Sequence, residues 1–261
     1  MSLPPRFCVL LTATIRPAVS KDMELVRSDP EVRRRDYEEA LRFWLRLPVD
    51  WIQGIVFAEN SGADLSSLEK IATSVNDRGI PVEFISCVFP PPPAGLHYGF
   101  SEISLVCHAL KESRLLREAD TFIKATGRYR FPEVDRLVRS LPAGFNVAVD
   151  SKLSRFWSRN RHYLTHFALA LFRRSFFEAQ LIDLPSRMVP APPWTRAQFI
   201  ETVLYDRLLE LKSQPGLVLR WPVNCEPVGV GANGDDYGTA RKRLQQWVRG
   251  LGRRVAPGVW I

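Results

Sequence analysis

The sequence predicts an α/β protein with a central, mostly parallel sheet flanked by helices and an irregular C-terminal part. First, Phe7–Ala13 is a continuous apolar run of strand length, which is typical of a strand buried on both faces. Second, strand and helix patterns alternate after it as β-α-β-α-β. Third, 46% of the 261 residues are hydrophobic and 25% are charged, enough apolar material for a core. That balance excludes a disordered chain, and 15 Gly and 4 Cys exclude a collagen-like or disulfide-scaffold protein.

The elements of the first half follow from periodicity. Helices are predicted over 36–47 and 65–75, between strands at 7–13, 52–58 and 82–88. Four consecutive prolines at 90–93 favour polyproline II, and we interpret them as a plain, stiff connector. A helix over 99–119 precedes a strand at 121–125. A short helix at 134–141 precedes a strand at 146–149.

The second half is less regular. The apolar segment 163–172 is a strand pair or a helix, and periodicity does not decide between them. Residues 185–194 are rich in proline and predicted to be irregular. A strong helix is predicted over 196–212, a strand at 218–221, a glycine-rich loop at 229–234 and a basic helix over 238–254.

The ionic balance indicates an anionic partner. Lys and Arg outnumber Asp and Glu by 36 to 28, a formal charge of +8. Nucleotide phosphate, nucleic acid and an anionic membrane all fit such a charge, and so does a role in solubility alone.

Four cysteines without paired spacing are expected to be reduced, which suits the cytosol: Cys8, Cys87, Cys107 and Cys225. The first residues do not form a signal-peptide pattern, and no stretch has the roughly 20 apolar residues of a membrane span.

Polar clusters follow four of the predicted strands, at 12–16, 59–62, 124–129 and 150–152. Ligands of an open α/β sheet bind outside the carboxyl ends of its strands, so these clusters are expected to converge. They supply hydroxyls, an amide, carboxylates and four cations, which are Arg16, Lys124, Arg128 and Lys152. This mixture suits a phosphorylated ligand.

The common catalytic signatures are missing. The sequence has no GxxxxGK[ST], no GxGxxG after the first strand, no HExxH and no GxSxG. His162 and His166 would share one face of a helix, but no carboxylate or cysteine nearby completes a metal site. We therefore predict no metal ligands.

Two longer stretches carry a family resemblance. IVFAENSGADLSSLEKIA and HYGFSEISLVCHALKESRLLREADTFIKATGRYRF resemble GT-A-fold glycosyltransferases of bacterial surface-polysaccharide synthesis, of the O-antigen or capsule type. Where such enzymes carry a metal-binding Asp-x-Asp, this chain has the segment Lys124-Ala125-Thr126-Gly127-Arg128-Tyr129. The segments 165–167 and 199–201 also fit. The resemblance implies one domain over 1–261, with a nucleotide-sugar-binding half at 1–152 and an acceptor-side half at 153–261.

The resemblance also implies a donor site without a cofactor. Fixed cations would replace the metal, because arginine binds phosphate oxygens bidentately. Sugar transfer is then expected to be inverting and metal-independent. Alternatively, Lys124 and Arg128 form a salt-bridged strand end, with Glu102 or Asp120 as partner. The expected donor-binding residues are Thr12, Thr14, Arg16, Glu59, Asn60, Ser61, Glu102, Lys124, Thr126, Gly127, Arg128 and Tyr129.

Inverting transfer needs a general base near the acceptor hydroxyl. Glu201 is the first candidate, because the matching fold places its catalytic acid at a helix start. A carboxylate there also complements the helix dipole, which is the alternative role. Asp150 is the second catalytic candidate, with Asp235 and Asp236 in reserve.

Two basic segments interleave cations with aromatic rings, at 155–163 and 238–254, the latter including Trp247. Such a pattern serves nucleic acid or an anionic membrane, or is an ordinary solvated face around a buried Trp. The resemblance favours the membrane, with a glycan or lipid-linked acceptor and a cytoplasmic protein on the inner membrane face. Two other classes are compatible with the sequence: a nucleic-acid-binding protein and a catalytically inactive glycosyltransferase-like binding module.

Overall fold

A computed structural model describes residues 5–18, 25–154, 162–190, 199–231 and 234–255. The strands in these residues are β1 Phe7–Ala13, β2 Ile52–Glu59, β3 Val82–Ser86, β4 Thr121–Thr126, β5 Val147–Ala148, β6 Ser151–Ser154, β7 His162–Thr165, β8 Leu169–Arg173 and β9 Leu217–Val218. The helices are α1 Pro30–Arg46, α2 Ser66–Ser74, α3 Gly99–Glu112, α4 Arg114–Glu118, α5 Val134–Ser140, α6 Arg174–Gln180, α7 Leu184–Arg187, α8 Ile200–Glu210 and α9 Ala240–Val255.

Seven of the described strands form one sheet in the order β3-β2-β1-β4-β8-β5-β9, and β6 pairs with β7 separately. Neighbours among β1 to β4 are parallel. β8 is antiparallel to both β4 and β5, so β5 runs in the same direction as β1 to β4. The carboxyl ends of β1, β2, β4 and β5 therefore lie at one edge, which we call the carboxyl edge. The predicted α/β class with a mostly parallel central sheet is confirmed.

The sheet separates two apolar layers. Along β1, Val9 and Leu11 belong to one layer and Cys8 and Leu10 to the other, because successive side chains of a strand alternate between faces. Helices α1, α2 and α5 cover the first layer, and α3, α4, α6 and α8 cover the second. Both faces are thus buried, which explains the continuous apolar run at 7–13.

Several predicted boundaries differ from the structure. α1 begins six residues before the prediction, because Asp29 caps it and Pro30 takes its first turn. The predicted helix 99–119 is two helices, divided at Ser113, whose Oγ accepts from Leu116 N at 3.0 Å and donates to Glu83 Oε2 at 2.6 Å. Segment 163–172 contains two strands, β7 and β8, which belong to different sheets and do not pair with each other. Predictions on 155–161, 191–198 and 232–233 lie outside the described residues.

All four cysteines are free, as predicted. Among the described helices, none combines the length and apolar character that crossing a bilayer requires.

Candidate functional site

A cavity of about 260 Å³ opens at the carboxyl edge, beyond the ends of β1, β2 and β4. Eight of the predicted donor-binding residues line it: Thr12, Thr14, Arg16, Asn60, Ser61, Glu102, Thr126 and Arg128. Four other predicted residues do not: Glu59, Lys124, Gly127 and Tyr129. The rule that ligands bind beyond the carboxyl ends of parallel strands therefore located the cavity correctly.

Two residues of α1 order the end of β1. The Tyr37 hydroxyl accepts from Thr14 N at 2.9 Å and from Arg33 Nη2 at 3.1 Å. Arg33 Nε donates to Thr14 O at 2.6 Å. Thr14 Oγ1 in turn donates to Asn60 Oδ1 at 2.7 Å, which joins the ends of β1 and β2. Sequence reasoning missed both Arg33 and Tyr37 as site residues; the available signal was an arginine four residues before a tyrosine on the apolar face of a helix.

Glu59 is fully buried and orders the two loops at the cavity instead of facing it. Its Oε1 accepts from Ile15 N at 2.9 Å and also from Ser61 Oγ. Its Oε2 accepts from Ser61 N at 2.9 Å and from Ala63 N at 3.2 Å. Because both oxygens are occupied, Glu59 does not contact a nucleoside directly, contrary to the expectation. It positions Asn60 and Ser61, which do line the cavity.

Glu102 is the centre of a buried polar cluster. Its Oε1 accepts from Thr12 Oγ1 at 3.0 Å, from Thr126 Oγ1 at 2.8 Å and from Lys124 Nζ at 2.6 Å. Lys124 is fully buried and also donates to Phe167 O at 2.5 Å and to Thr126 Oγ1 at 3.2 Å. With three donors committed, Lys124 does not face a diphosphate, and the expectation of direct contact is corrected. The ion pair with Glu102, the alternative given above, is the arrangement found.

This cluster leaves an ionised acceptor at the cavity. Burial alone would raise the pKa of Glu102, but the charge of Lys124 and hydrogen bonds from Lys124, Thr126 and Thr12 lower it below its usual value. Glu102 Oε2 accepts no hydrogen bond from the described residues. Since Glu102 lines the cavity, this oxygen is available to a ligand hydroxyl.

Arg128 is a buried cation without a carboxylate partner among the described residues. Its side chain lines the cavity, yet the residue is only 8% exposed. Nη2 donates to the Tyr129 hydroxyl at 3.3 Å, and the guanidinium carbon lies 5.1 Å from the Tyr129 ring centroid. Nε is buried, and no described residue accepts a hydrogen bond from it. The guanidinium stays charged at any physiological pH, and a buried unpaired charge is costly. An anion in the cavity would compensate it. Because Arg128 pairs with no carboxylate among the described residues, the alternative of a salt bridge to Glu102 or Asp120 is not found for it.

Gly127 allows β4 to approach β1 at this point. Its N donates to Thr12 O at 2.8 Å, and a Cβ at Gly127 would lie 2.9 Å from that same oxygen and 3.3 Å from Tyr37 Cδ1. A side chain here would collide with the backbone of β1, so one of the two segments would have to shift. Tyr129 does not line the cavity but packs edge-on against Phe131 and Tyr237, and so orients the guanidinium.

The two catalytic candidates differ in their surroundings. Glu201 lies in the first turn of α8, and its buried Oε2 has no hydrogen-bond partner among the described residues. Burial raises the pKa of Glu201 to about 7, helped by the charge of Glu102 and opposed by that of Lys124. Asp150, by contrast, accepts from Arg253 Nη2 with both oxygens, at 2.7 and 2.6 Å. Asp150 is held in an ion pair, so the prediction that it acts as a base is corrected. Neither Glu201 nor Asp150 lines the cavity.

The reserve acids and the remaining strand-end cation lie elsewhere. Asp235 pairs with Lys242 at 3.4 Å, and Asp236 Oδ1 accepts from Gly238 N at 2.7 Å. Lys152 belongs to β6 and does not line the cavity.

Sequence reasoning also missed part of the cavity wall. Pro90, Pro91 and Pro92 line it, so the proline run is more than a connector. Tyr98 and Ser101, at the start of α3, add a ring and a hydroxyl. No periodicity marks these positions, because a loop wall is defined only by the packing of distant segments.

The described residues do not fit a divalent metal. No three His, Cys, Asp or Glu side chains cluster among them, and Glu102 is the one acidic residue of the described cavity lining. His162 lies in β7 and His166 follows that strand, so the two are not one turn apart on a helix, the arrangement on which a shared ion depended.

The fold and the site define an α/β protein with a cavity at the carboxyl edge of its sheet, lined by the buried Arg128. Neither a protein-family model nor a curated protein sequence matches the chain.

Solved structures do resemble it. The mannosyltransferase PcManGT from Pyrobaculum calidifontis, in complex with GDP-Man and Mn²⁺, is 14% identical with a TM-score of 0.49, over 100% of this chain and 67% of that chain. A 4-diphosphocytidyl-2C-methyl-D-erythritol synthase from Anaerococcus prevotii is 9% identical with a TM-score of 0.47, covering 92% and 96% of the two chains. Mouse xyloside xylosyltransferase 1 is 10% identical with a TM-score of 0.42, covering 83% and 85%. With all three TM-scores below 0.5, the function has to be argued from the site.

Proposed function

We propose that this chain is a glycosyltransferase that moves a sugar from a nucleotide-sugar donor to a surface-glycan or lipid-linked acceptor, with inversion and without a divalent metal. The observation that carries the proposal is Arg128, a buried guanidinium that lines the cavity and whose Nε has no partner in the part of the chain that the structure describes. A diphosphate supplies the missing anion, and the surrounding hydroxyls and amide suit a nucleoside and a sugar. In this proposal the protein works in the cytoplasm at the inner membrane face, with no nucleic-acid partner.

Donor binding divides the cavity into two parts. At the ends of β1 and β2, Thr14, Asn60 and Ser61 present the hydroxyls and amide for the nucleoside. At the end of β4, Arg128 binds phosphate oxygens and Glu102 Oε2 accepts from a hydroxyl of the donor. Arg16, which also lines the cavity, adds positive charge at its mouth.

Arg128 stabilises the leaving group in this proposal. As the bond from the sugar C1 to the diphosphate oxygen breaks, its electron pair stays on the diphosphate, and negative charge grows there. A fixed cation in a buried site stabilises that charge without reorganisation. Lys124 acts through Glu102 and is a positioning residue.

Glu201 is proposed as the general base. The acceptor oxygen attacks C1 from the face opposite the leaving group, which inverts the anomeric configuration, and its proton passes to the Glu201 carboxylate. A base with a pKa of about 7 is ionised often enough near neutral pH and still accepts a proton readily.

Ligand-induced stabilisation tests donor binding. We expect one of UDP, GDP, CDP and dTDP to raise Tm clearly more than CMP or the matching nucleoside, because a ligand at about 100 times its Kd adds about 2.7 kcal/mol to the free energy of unfolding. The nucleotide-sugar of that diphosphate is then assayed for release of the diphosphate in the presence of acceptor lipid or glycan extracts. No stabilisation by any nucleotide, together with a salt-sensitive gel shift of RNA or DNA, would favour the nucleic-acid-binding class. Binding without release would favour the inactive binding module.

Metal removal tests the second part of the proposal. We expect EDTA to change the rate of transfer by less than about twofold, because a fixed cation replaces the metal at the leaving group. Activity is measured before and after dialysis against EDTA, with a known metal-dependent transferase as control. Abolition by EDTA and recovery with Mn²⁺ or Mg²⁺ would refute metal independence.

A further inference from the structure

Helix α9 presents an apolar face to solvent. Its exposed hydrophobic side chains are Leu244, Trp247, Val248, Leu251 and Val255, with 47–76% of each residue accessible. Their spacing of three and four places them in one stripe along the helix, which we call the α9 stripe. Trp247, near its middle, is 65% exposed. The possibility of a basic helix with a buried Trp is therefore excluded.

The opposite face of α9 contacts the rest of the protein. Arg253 donates to both oxygens of Asp150, in a pair whose side chains are each 7% exposed, and to Trp221 O at 2.8 Å. Arg249 pairs with Glu226 at 3.3 Å. A surface helix ordinarily turns its apolar face to the core and its charged face to water. In α9 this order is reversed, so the stripe needs a partner outside the described fold.

The charge of α9 selects that partner. The helix contains six basic residues and no acidic one. Lys242, Arg249 and Arg253 pair with carboxylates of the fold, whereas Arg241 beside the stripe is exposed. A second copy of the helix would bring like charges together, and a nucleic acid offers little to an aliphatic stripe. We propose that α9 lies in the surface of an anionic lipid bilayer, with the α9 stripe inserted between headgroups and the flanking cations bound to lipid phosphates. The amphipathic ring of a tryptophan such as Trp247 is well suited to the headgroup region of a bilayer.

This placement would bring the cavity close to the bilayer. Asp150 follows β5 and Trp221 follows β9, two parallel strands, so α9 contacts the same edge of the sheet where the cavity opens. An acceptor anchored in the membrane would then lie near the cavity. Only this last step rests on the proposed function; insertion of α9 does not.

Vesicle binding without nucleotide tests the inference. We expect the protein to co-sediment with phosphatidylcholine vesicles containing about 30 mol% phosphatidylglycerol, and binding to fall as NaCl is raised above about 0.1 M. The double variant Trp247→Gln/Leu251→Gln should bind at least about tenfold more weakly, because two inserted apolar groups are lost. Leu209→Gln, which changes an exposed leucine of α8 (39% exposed), should bind within about twofold of the parent.

Circular dichroism and thermal unfolding establish that the variants are folded. Three results would overturn the inference: unchanged vesicle binding by the double variant, equal binding to pure phosphatidylcholine, or no vesicle binding with a dimer that the double variant abolishes. Nucleotide stabilisation is measured separately without vesicles. Its failure would refute the proposed function and leave the membrane inference intact. Failure of vesicle binding would refute the membrane inference and the proposed membrane location, and would leave donor binding and sugar transfer intact.

Discussion

Arg128→Gln is expected to reduce kcat/KM for sugar transfer by about 10²- to 10³-fold, as expected for the loss of a preorganised group that stabilises transition-state charge. Nucleoside diphosphate binding should also weaken, because the charge-assisted hydrogen bonds to phosphate disappear. Binding of the nucleoside alone should change little. Steady-state kinetics and calorimetric titration with diphosphate and nucleoside separate these effects.

Two further variants sharpen this test. Arg130→Gln removes an arginine two residues away that pairs with Glu39 at 3.4 Å and does not line the cavity, so its kinetics should match the parent. Arg128→Lys should recover only part of the loss, because an ammonium group cannot bind two phosphate oxygens in a planar fork. Equal diphosphate affinity in Arg128→Gln and the parent would refute the assignment of the phosphate site.

Glu201→Gln is expected to lower kcat by about 10²- to 10⁴-fold, the range of general acid–base catalysis, with diphosphate affinity unchanged. In the parent, kcat should fall about tenfold per pH unit below a pKa of about 7, where Glu201 becomes protonated. The variant should lose this dependence. Its control is Glu210→Gln, on the same helix, where the carboxylate pairs with Arg207 and Arg187 on the surface. Full activity of Glu201→Gln would refute its role as base.

The same substitution has an expected effect on stability that needs no substrate. Because burial raises the pKa of Glu201 to about 7 from an ordinary 4.5, the folded protein binds more protons than the unfolded chain between these two values. Stability is therefore lost as pH rises through this window. Glu201→Gln removes the cost of the buried charge, so its Tm should exceed that of the parent near pH 8 and approach it below about pH 4.5. Identical pH profiles of Tm would show that Glu201 is not the perturbed group.

The sequence predicted the architecture and the location of the cavity because both follow from local patterns. Apolar runs marked the strands, and polar residues at their ends marked the edge where they meet. It did not predict the direction of Lys124, since a side chain at a strand end faces either the cavity or the core. The Asp150–Arg253 pair could not be predicted for a similar reason, because it joins segments far apart in the chain. The spacing of Arg33 and Tyr37 gave a local signal, but their contacts with Thr14 depend on packing between distant segments.

The antiparallel strand β8 has a consequence for redesign of the protein. Because it runs against its neighbours, its beginning, not its end, lies at the carboxyl edge: Leu169 is opposite Ala125 and Thr126 N donates to Ala168 O. Loops grafted before Leu169 would therefore extend beside the cavity, whereas loops grafted after Arg173 would emerge at the far edge of the sheet. Acceptor preference could then be altered through the connection that enters β8, leaving the nucleoside-facing loops after β1 and β2 untouched.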